Sequence, residues 1–179
     1  MGLTTVIVIA MASIVYAYWR INAPSSPTLY VTATYPPLEL RMELEKTEFQ
    51  QGEKVAILLF LKNIGNEPVE IGFPKWSAWR GDTQRHVLNF IVKAENDTTV
   101  YIHFRTFYLS VYGFTLESGE QRIETLEWAQ TYNQDPYSGQ PFKLGEYKII
   151  GQTMTYGILG KDLPKGHRLE TPPITITIT

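Results

Sequence analysis

The sequence predicts an all-β protein, an antiparallel β-sandwich preceded by a single hydrophobic N-terminal helix. Three observations predict it. Residues 38–45, LELRMELE, alternate Leu38, Leu40, Met42 and Leu44 with Glu39, Arg41, Glu43 and Glu45, the period of a strand with one buried face. Short strand-like runs separated by turn signals recur to the C-terminus, with no helical pattern beyond Arg20. Residues 3–19, LTTVIVIAMASIVYAYW, are free of charge and are followed at once by Arg20.

As a helix, residues 3–19 would span about 26 Å at about 1.5 Å per residue, within the range of a single membrane crossing. Tyr16, Tyr18 and Trp19 beside Arg20 suit a membrane–water interface. The expected segment 1–20 is therefore a retained anchor. A cleaved signal peptide, with Val15-Tyr16-Ala17 as the cleavage site, and a buried core helix are the competing readings. Residues 21–37 hold Pro24, Pro27, Pro36 and Pro37 and no charge, which reads as a semi-extended spacer. Arg20 taken alone favours a cytoplasmic C-terminal part. One charge opposed by the terminal amine is a small bias, and the expectation is an exported, extracytoplasmic domain over 38–179.

Within that domain, 54–62 (KVAILLFLK) is apolar almost throughout, as a central strand covered on both faces would be. Turns at 51–53 and 63–67 flank it, and 69–73 follows. Further strands are expected at 87–94, 99–104, 107–114, 121–128, 146–156 and 174–179. Glu95-Asn96-Asp97, Glu117-Ser118-Gly119 and Leu144-Gly145 punctuate them. Leu144-Gly145-Glu146-Tyr147-Lys148-Ile149 has the spacing of a corner tyrosine entering a core strand, which makes the expected sandwich immunoglobulin-like. The Ile-Thr alternation of 174–179 reads as a last strand closing its own sheet. That segment, or Leu29-Tyr30-Val31-Thr32-Ala33-Thr34, is alternatively a strand that adds to a neighbouring subunit's sheet edge.

Gly52-Glu53-x-Val55, the LxLKN of 59–63, Pro68-Val69-Glu70-Ile71 with Phe73, Thr115-Leu116-Glu117-Ser118-Gly119-Glu120, Trp128 and Gly145-Glu146-Tyr147 stand in an order that resembles the BsuPI-type intracellular proteinase inhibitors. The resemblance covers about residues 38–156. It implies a small immunoglobulin-like sandwich and, as a second functional reading, inhibition of serine proteases. The chain departs from that family in its hydrophobic N-terminal segment and in the longer connection 74–86, and no reactive-site motif carries over.

Composition narrows the function. The 16 Lys+Arg and 18 Asp+Glu give a net charge of −2, without the basic field a nucleic-acid reader needs. The absence of cysteine excludes disulfides, thiolate metal sites and cysteine nucleophiles. His86, His103 and His167 stand in no metal-ligand spacing, and no Gly-x-Ser-x-Gly elbow occurs. The pair Glu43/Glu45 shares a strand face and reads as solvated, and Glu124/Glu127 fall on opposite faces. A non-enzymatic protein without cofactor or metal is expected.

Two loops have the composition of contact surfaces. Pro74-Lys75-Trp76-Ser77-Ala78-Trp79-Arg80 sets Trp76 and Trp79 beside Arg80, side chains that dominate binding hot spots. The alternative is that the tryptophans fold back as a lid. Residues 129–142, AQTYNQDPYSGQPF, place Tyr132 and Tyr137 among small polar residues, as paratopes do. Arg80-Gly81-Asp82 is read as a turn rather than an adhesion motif, and Asn96-Asp97-Thr98 is an N-glycosylation acceptor if the domain is exported. The expected partner is a protein, either a protease or an envelope component. Self-assembly into an extracellular filament or envelope structure is the third reading, and residues 3–19 are the expected membrane contact.

Overall fold

The computed structural model describes residues 29–75, 87–103, 110–134, 142–153, 157–158 and 168–179. These form twelve strands: β1 (Leu29–Tyr35), β2 (Leu38–Leu44), β3 (Glu48–Phe49), β4 (Val55–Asn63), β5 (Val69–Lys75), β6 (Leu88–Ala94), β7 (Thr99–Ile102), β8 (Ser110–Leu116), β9 (Gln121–Trp128), β10 (Gly145–Thr153), β11 (Gly157–Ile158) and β12 (Ile174–Ile178). The all-β expectation holds among the described residues, none of which is helical. No helix among them is long and apolar enough to cross a membrane, and residues 3–19 lie outside them.

Two large sheets, ordered β1-β2-β4-β9 and β3-β12-β10-β6-β7, share one core, and a smaller sheet is ordered β11-β5-β8. Pairing is antiparallel except between β3 and β12. The alternation read in 38–45 places Leu38, Leu40, Met42 and Leu44 in the core. Opposite them β4 buries Ile57, Leu59 and Leu61 on the same face, and Leu58 and Phe60 on the other. A strand buried on both faces cannot alternate, which explains the continuous apolar run. Each large aliphatic side chain so buried contributes about 1.5–3 kcal/mol.

Gly151 of β10 lies close against Met42 of β2 and Leu59 of β4 in the facing sheet. A Cβ there would lie 2.6 Å from Leu59 Cδ2 and 3.2 Å from Met42 Cβ, so any side chain would make Leu59 and Met42 shift. Between β2 and β3 the chain crosses from the first sheet to the second. β3 then runs parallel to β12, with Thr177 N donating to Thr47 O at 2.7 Å and Thr179 N to Phe49 O at 2.9 Å. The C-terminal strand therefore has neighbours on both sides, β10 and β3, and is internal to its own sheet.

The expected spacer needs correction. Leu29–Tyr35 pairs with β2 along its whole length, from Leu29↔Leu44 to Tyr35↔Leu38, across the short Pro36–Pro37 connection. The strand-built region thus reaches back at least to Leu29. The prolines mark a hairpin turn, and the alternation of Val31, Ala33 and Tyr35 with exposed Tyr30, Thr32 and Thr34 is the one-sided pattern of an edge strand.

At the start of β10 the tyrosine closes the corner that its spacing suggested. Tyr147 Oη donates to Lys143 O at 3.0 Å, and Tyr132 Oη lies 3.3 Å from the same hydroxyl. Burial first, then the Tyr132 hydroxyl, push the Tyr147 phenol far above its ordinary value. Replacing Tyr147 by Phe should cost about 1–2 kcal/mol at neutral pH, read by urea unfolding. The sign of the alkaline effect follows from linkage. The folded protein keeps a proton that the unfolded chain releases near pH ~10, so this share of stability is complete below that pH and declines above it. The gap between the native protein and Tyr147→Phe should therefore narrow as the pH is raised past ~10.

Candidate functional site

Trp76, Trp79, Arg80 and Tyr137 lie in the connections 76–86 and 135–141, outside the described residues, as does the Arg80-Gly81-Asp82 tripeptide. The stems of these connections are described, and they converge. Lys75, which leads into 76–86, pairs with Ser110, which leads out of 104–109. Val87, at the other end of 76–86, donates its N–H to Glu124 Oε1 at 3.0 Å. Glu124 shares its strand face with the buried Leu126 and Trp128, so its carboxylate points toward the space between the sheets. It is held there by Arg122 Nε at 3.2 Å, whose guanidinium lies 5.1 Å from the centre of the Phe114 ring. Glu127, on the opposite face as expected, meets Lys54 Nζ at 2.7 Å in solvent.

The third stem is tied to the second by one side chain. Asn133 Oδ1 accepts from Ile102 N at 2.9 Å, and Asn133 Nδ2 donates to Ile102 O at 2.6 Å. An asparagine amide presents a donor and an acceptor at the spacing of a peptide group, so Asn133 imitates a strand neighbour along β7. It stands just before Gln134, from which 135–141 departs. The connections 76–86 and 104–109 thus meet at the paired ends of β5 and β8, and 104–109 and 135–141 meet at the bonded Ile102 and Asn133.

Tyr132 is corrected from a surface contact to a core residue. It is 8% exposed, stacks on Phe142 with centroids 4.1 Å apart, and bonds the corner tyrosine. Phe142 in turn meets Trp128 edge-on at 4.5 Å and Tyr147 at 4.5 Å. The polar residues around Tyr132 suggested a loop surface, but they spend their polarity on backbone groups. Gln130 Oε1 accepts from Gly52 N at 2.8 Å and its Nε2 donates to Gln50 O at 2.9 Å. Glu43 is likewise corrected from solvated to buried, with Arg41 Nη2 at 2.7 Å and Leu58 as its strand partner.

His103 is half-buried, its ring stacked 4.7 Å from Phe90 and its Nδ1 3.4 Å from Tyr101 Oη. Burial raises the Tyr101 phenol above its usual value. His86 and His167 lie outside the described residues, and among those described no three His, Asp or Glu side chains gather as a metal would require. Asn96 is exposed on the β6–β7 turn and accepts from Thr98 N at 3.1 Å. Asp97 beside it has φ of 62° and bonds Lys148 Nζ at 2.8 Å, which holds its carboxyl below the ordinary value. Neither Asn133 nor Glu124 carries a local sequence signal, because each acts on a strand distant in the chain.

Sequence comparison finds no matching family model and no matching curated protein. Among solved structures the chain is similar to a β-glucosidase from Listeria innocua in complex with glucose, at 13% identity and a TM-score of 0.42 over 82% of this chain and 16% of that one. It is also similar to a CARDB domain from Pyrococcus furiosus in complex with di-metal ions, at 12% identity and a TM-score of 0.41 over 87% and 97% of the two chains. The chain spans 16% of the length of the β-glucosidase, and likenesses this distant carry no argument about activity.

The Asn133 clamp can be tested directly. Asn133→Ala leaves two backbone groups of Ile102 without their partner and should cost about 1–3 kcal/mol in urea unfolding. Amide exchange at Ile102 should accelerate with it. Unchanged exchange there would mean that the clamp does not hold the stem.

Proposed function

We propose that the chain is an immunoglobulin-like β-sandwich, held at or delivered across a membrane by residues 3–19, that acts by contact with another protein rather than by catalysis. The observation that carries the reading is the braced convergence of the stems of 76–86, 104–109 and 135–141. Connections issuing from one rigid foundation can present a shared, preorganised surface, and preorganisation lowers the ordering cost of binding. The crossing of the chain from the β2 sheet to the β12 sheet and the Tyr147 corner support the immunoglobulin-like assignment. Trp76, Trp79 and Arg80 would supply the anchoring contacts, and Tyr137 a further one, whereas Tyr132 braces the foundation.

Replacing both Trp76 and Trp79 by Ala in the full chain should leave the unfolding midpoint nearly unchanged and weaken capture of an envelope partner by tenfold or more, on the order of two lost hot-spot side chains. Equal loss of stability and capture would assign the tryptophans to the core. The same preparation assayed against a subtilisin-like protease tests the inhibitor reading, which tight inhibition would favour.

Asn96 offers a reading of topology. Made with its own N-terminal segment in a host that glycosylates exported chains, the protein should gain one glycan, lost in Asn96→Gln, as judged by electrophoretic mobility before and after deglycosylation. An unmodified chain would place the β6–β7 turn on the cytoplasmic side.

A further inference from the structure

Among the described residues the two large sheets have four edges, and three of them carry features that discourage pairing with another chain. β3 is only Glu48–Phe49. β7 is short, follows a register shift at Val92/Lys93, and has Asn133 bonded along it. β9 places Arg122, Glu124 and Glu127 along its length. Short strands, bulges and charges are the usual guards of a sheet edge. β1 has none of them. Its seven residues, LYVTATY, contain no charge, glycine or proline, and they pair with β2 without a register shift. No residue of β1 is buried, and Leu29 and Tyr30 are 40% and 60% exposed.

The strand is also complementary to itself. Turned antiparallel about Thr32, it sets Thr32 opposite Thr32, Val31 opposite Ala33, Tyr30 opposite Thr34 and Leu29 opposite Tyr35. Each pair joins residues of the same face: exposed Tyr30, Thr32 and Thr34 meet one another, half-buried Val31 meets half-buried Ala33, and exposed Leu29 meets half-buried Tyr35. Threonine–threonine and aromatic–aliphatic pairs are favourable across strands, and no like charges oppose one another. A partner with a charged edge strand would gain no counter-charge from β1, whereas a second copy matches it pair for pair. We propose that β1 joins the β1 of a second copy about a two-fold axis at Thr32, merging two four-stranded sheets into one continuous sheet. This isologous contact is independent of the loop-bearing end, and it stands whether or not those loops bind a partner.

The test uses the full chain in one detergent throughout. Thr32 lies opposite Arg41 within the molecule, so Thr32→Glu places a favourable charge pair inside the fold and a repulsive pair across the two-fold. The thermal transition should be retained while dimerisation, followed by sedimentation over a dilution series, weakens by about tenfold or more. The native chain has no cysteine, which makes crosslinking site-specific. Facing Cα atoms across a strand pair, about 4.5–5.5 Å apart, suit a disulfide. Mild oxidation of Thr32→Cys should therefore give a covalent dimer. Thr34→Cys should not, because its counterpart is displaced by about 13 Å along the strand. A native chain that stays monomeric, a dimer indifferent to Thr32→Glu, or equal crosslinking at both positions would overturn the proposal.

Discussion

Phe142 packs against both Trp128 and Tyr147 and so ties the two large sheets together. Trp128 ends β9 of one sheet and Tyr147 stands among the first, turn-proximal residues of β10 of the other, so a single ring bridges both layers. Aromatic pairs of this kind gain from area and from edge-to-face geometry together. Tyr132 also stacks on Phe142, and its hydroxyl lies 3.3 Å from that of Tyr147. The segment between β9 and β10 is thereby sewn to the core at both ends.

Around this centre the polar interior is organised by backbone demand. Asn63 is fully buried and donates through Nδ2 to Glu67 O at 2.8 Å and Leu116 O at 3.0 Å, while its Oδ1 accepts from Gly65 N at 2.9 Å. Gln130 performs the same task for the turn before β4, and Asn133 for β7. Buried amide side chains are tolerable where each donor and acceptor is matched, since an unmatched one costs about 1–3 kcal/mol. Such residues hold irregular connections in place where no strand can. Of the three, Asn133 is the one that braces a stem, that of 104–109.

The edges of the sheets tell a related story. A central strand satisfies its backbone on both sides, whereas an edge strand leaves one row of groups to water or to another chain. β12 escapes this by lying between β10 and β3, and β7 is covered by Asn133. β1 is uncharged and, among the described residues, pairs with β2 alone, beside a surface where the Arg41 guanidinium sits over Phe60 at 4.5 Å and pairs with Glu43.

Local sequence pattern was enough for the alternation that buries one face of β2, the two-sided burial of β4, the turns at Gly52 and Gly119 with φ of 83° and 77°, and the tyrosine that closes the β10 corner. These follow from neighbours a few residues apart, where period and turn chemistry act directly. Tertiary structure alone decided that β1 belongs to the first sheet, that Tyr132 is core and that Glu43 is buried. It also decided that two residues at Glu48–Phe49 run parallel to β12. In each case the deciding partner is remote in the chain or on another layer: Phe142 and Tyr147 for Tyr132, Leu58 for Glu43, Thr177 and Ile178 for β3. Burial and pairing are properties of the surroundings, and a local pattern cannot say which distant surface will supply them.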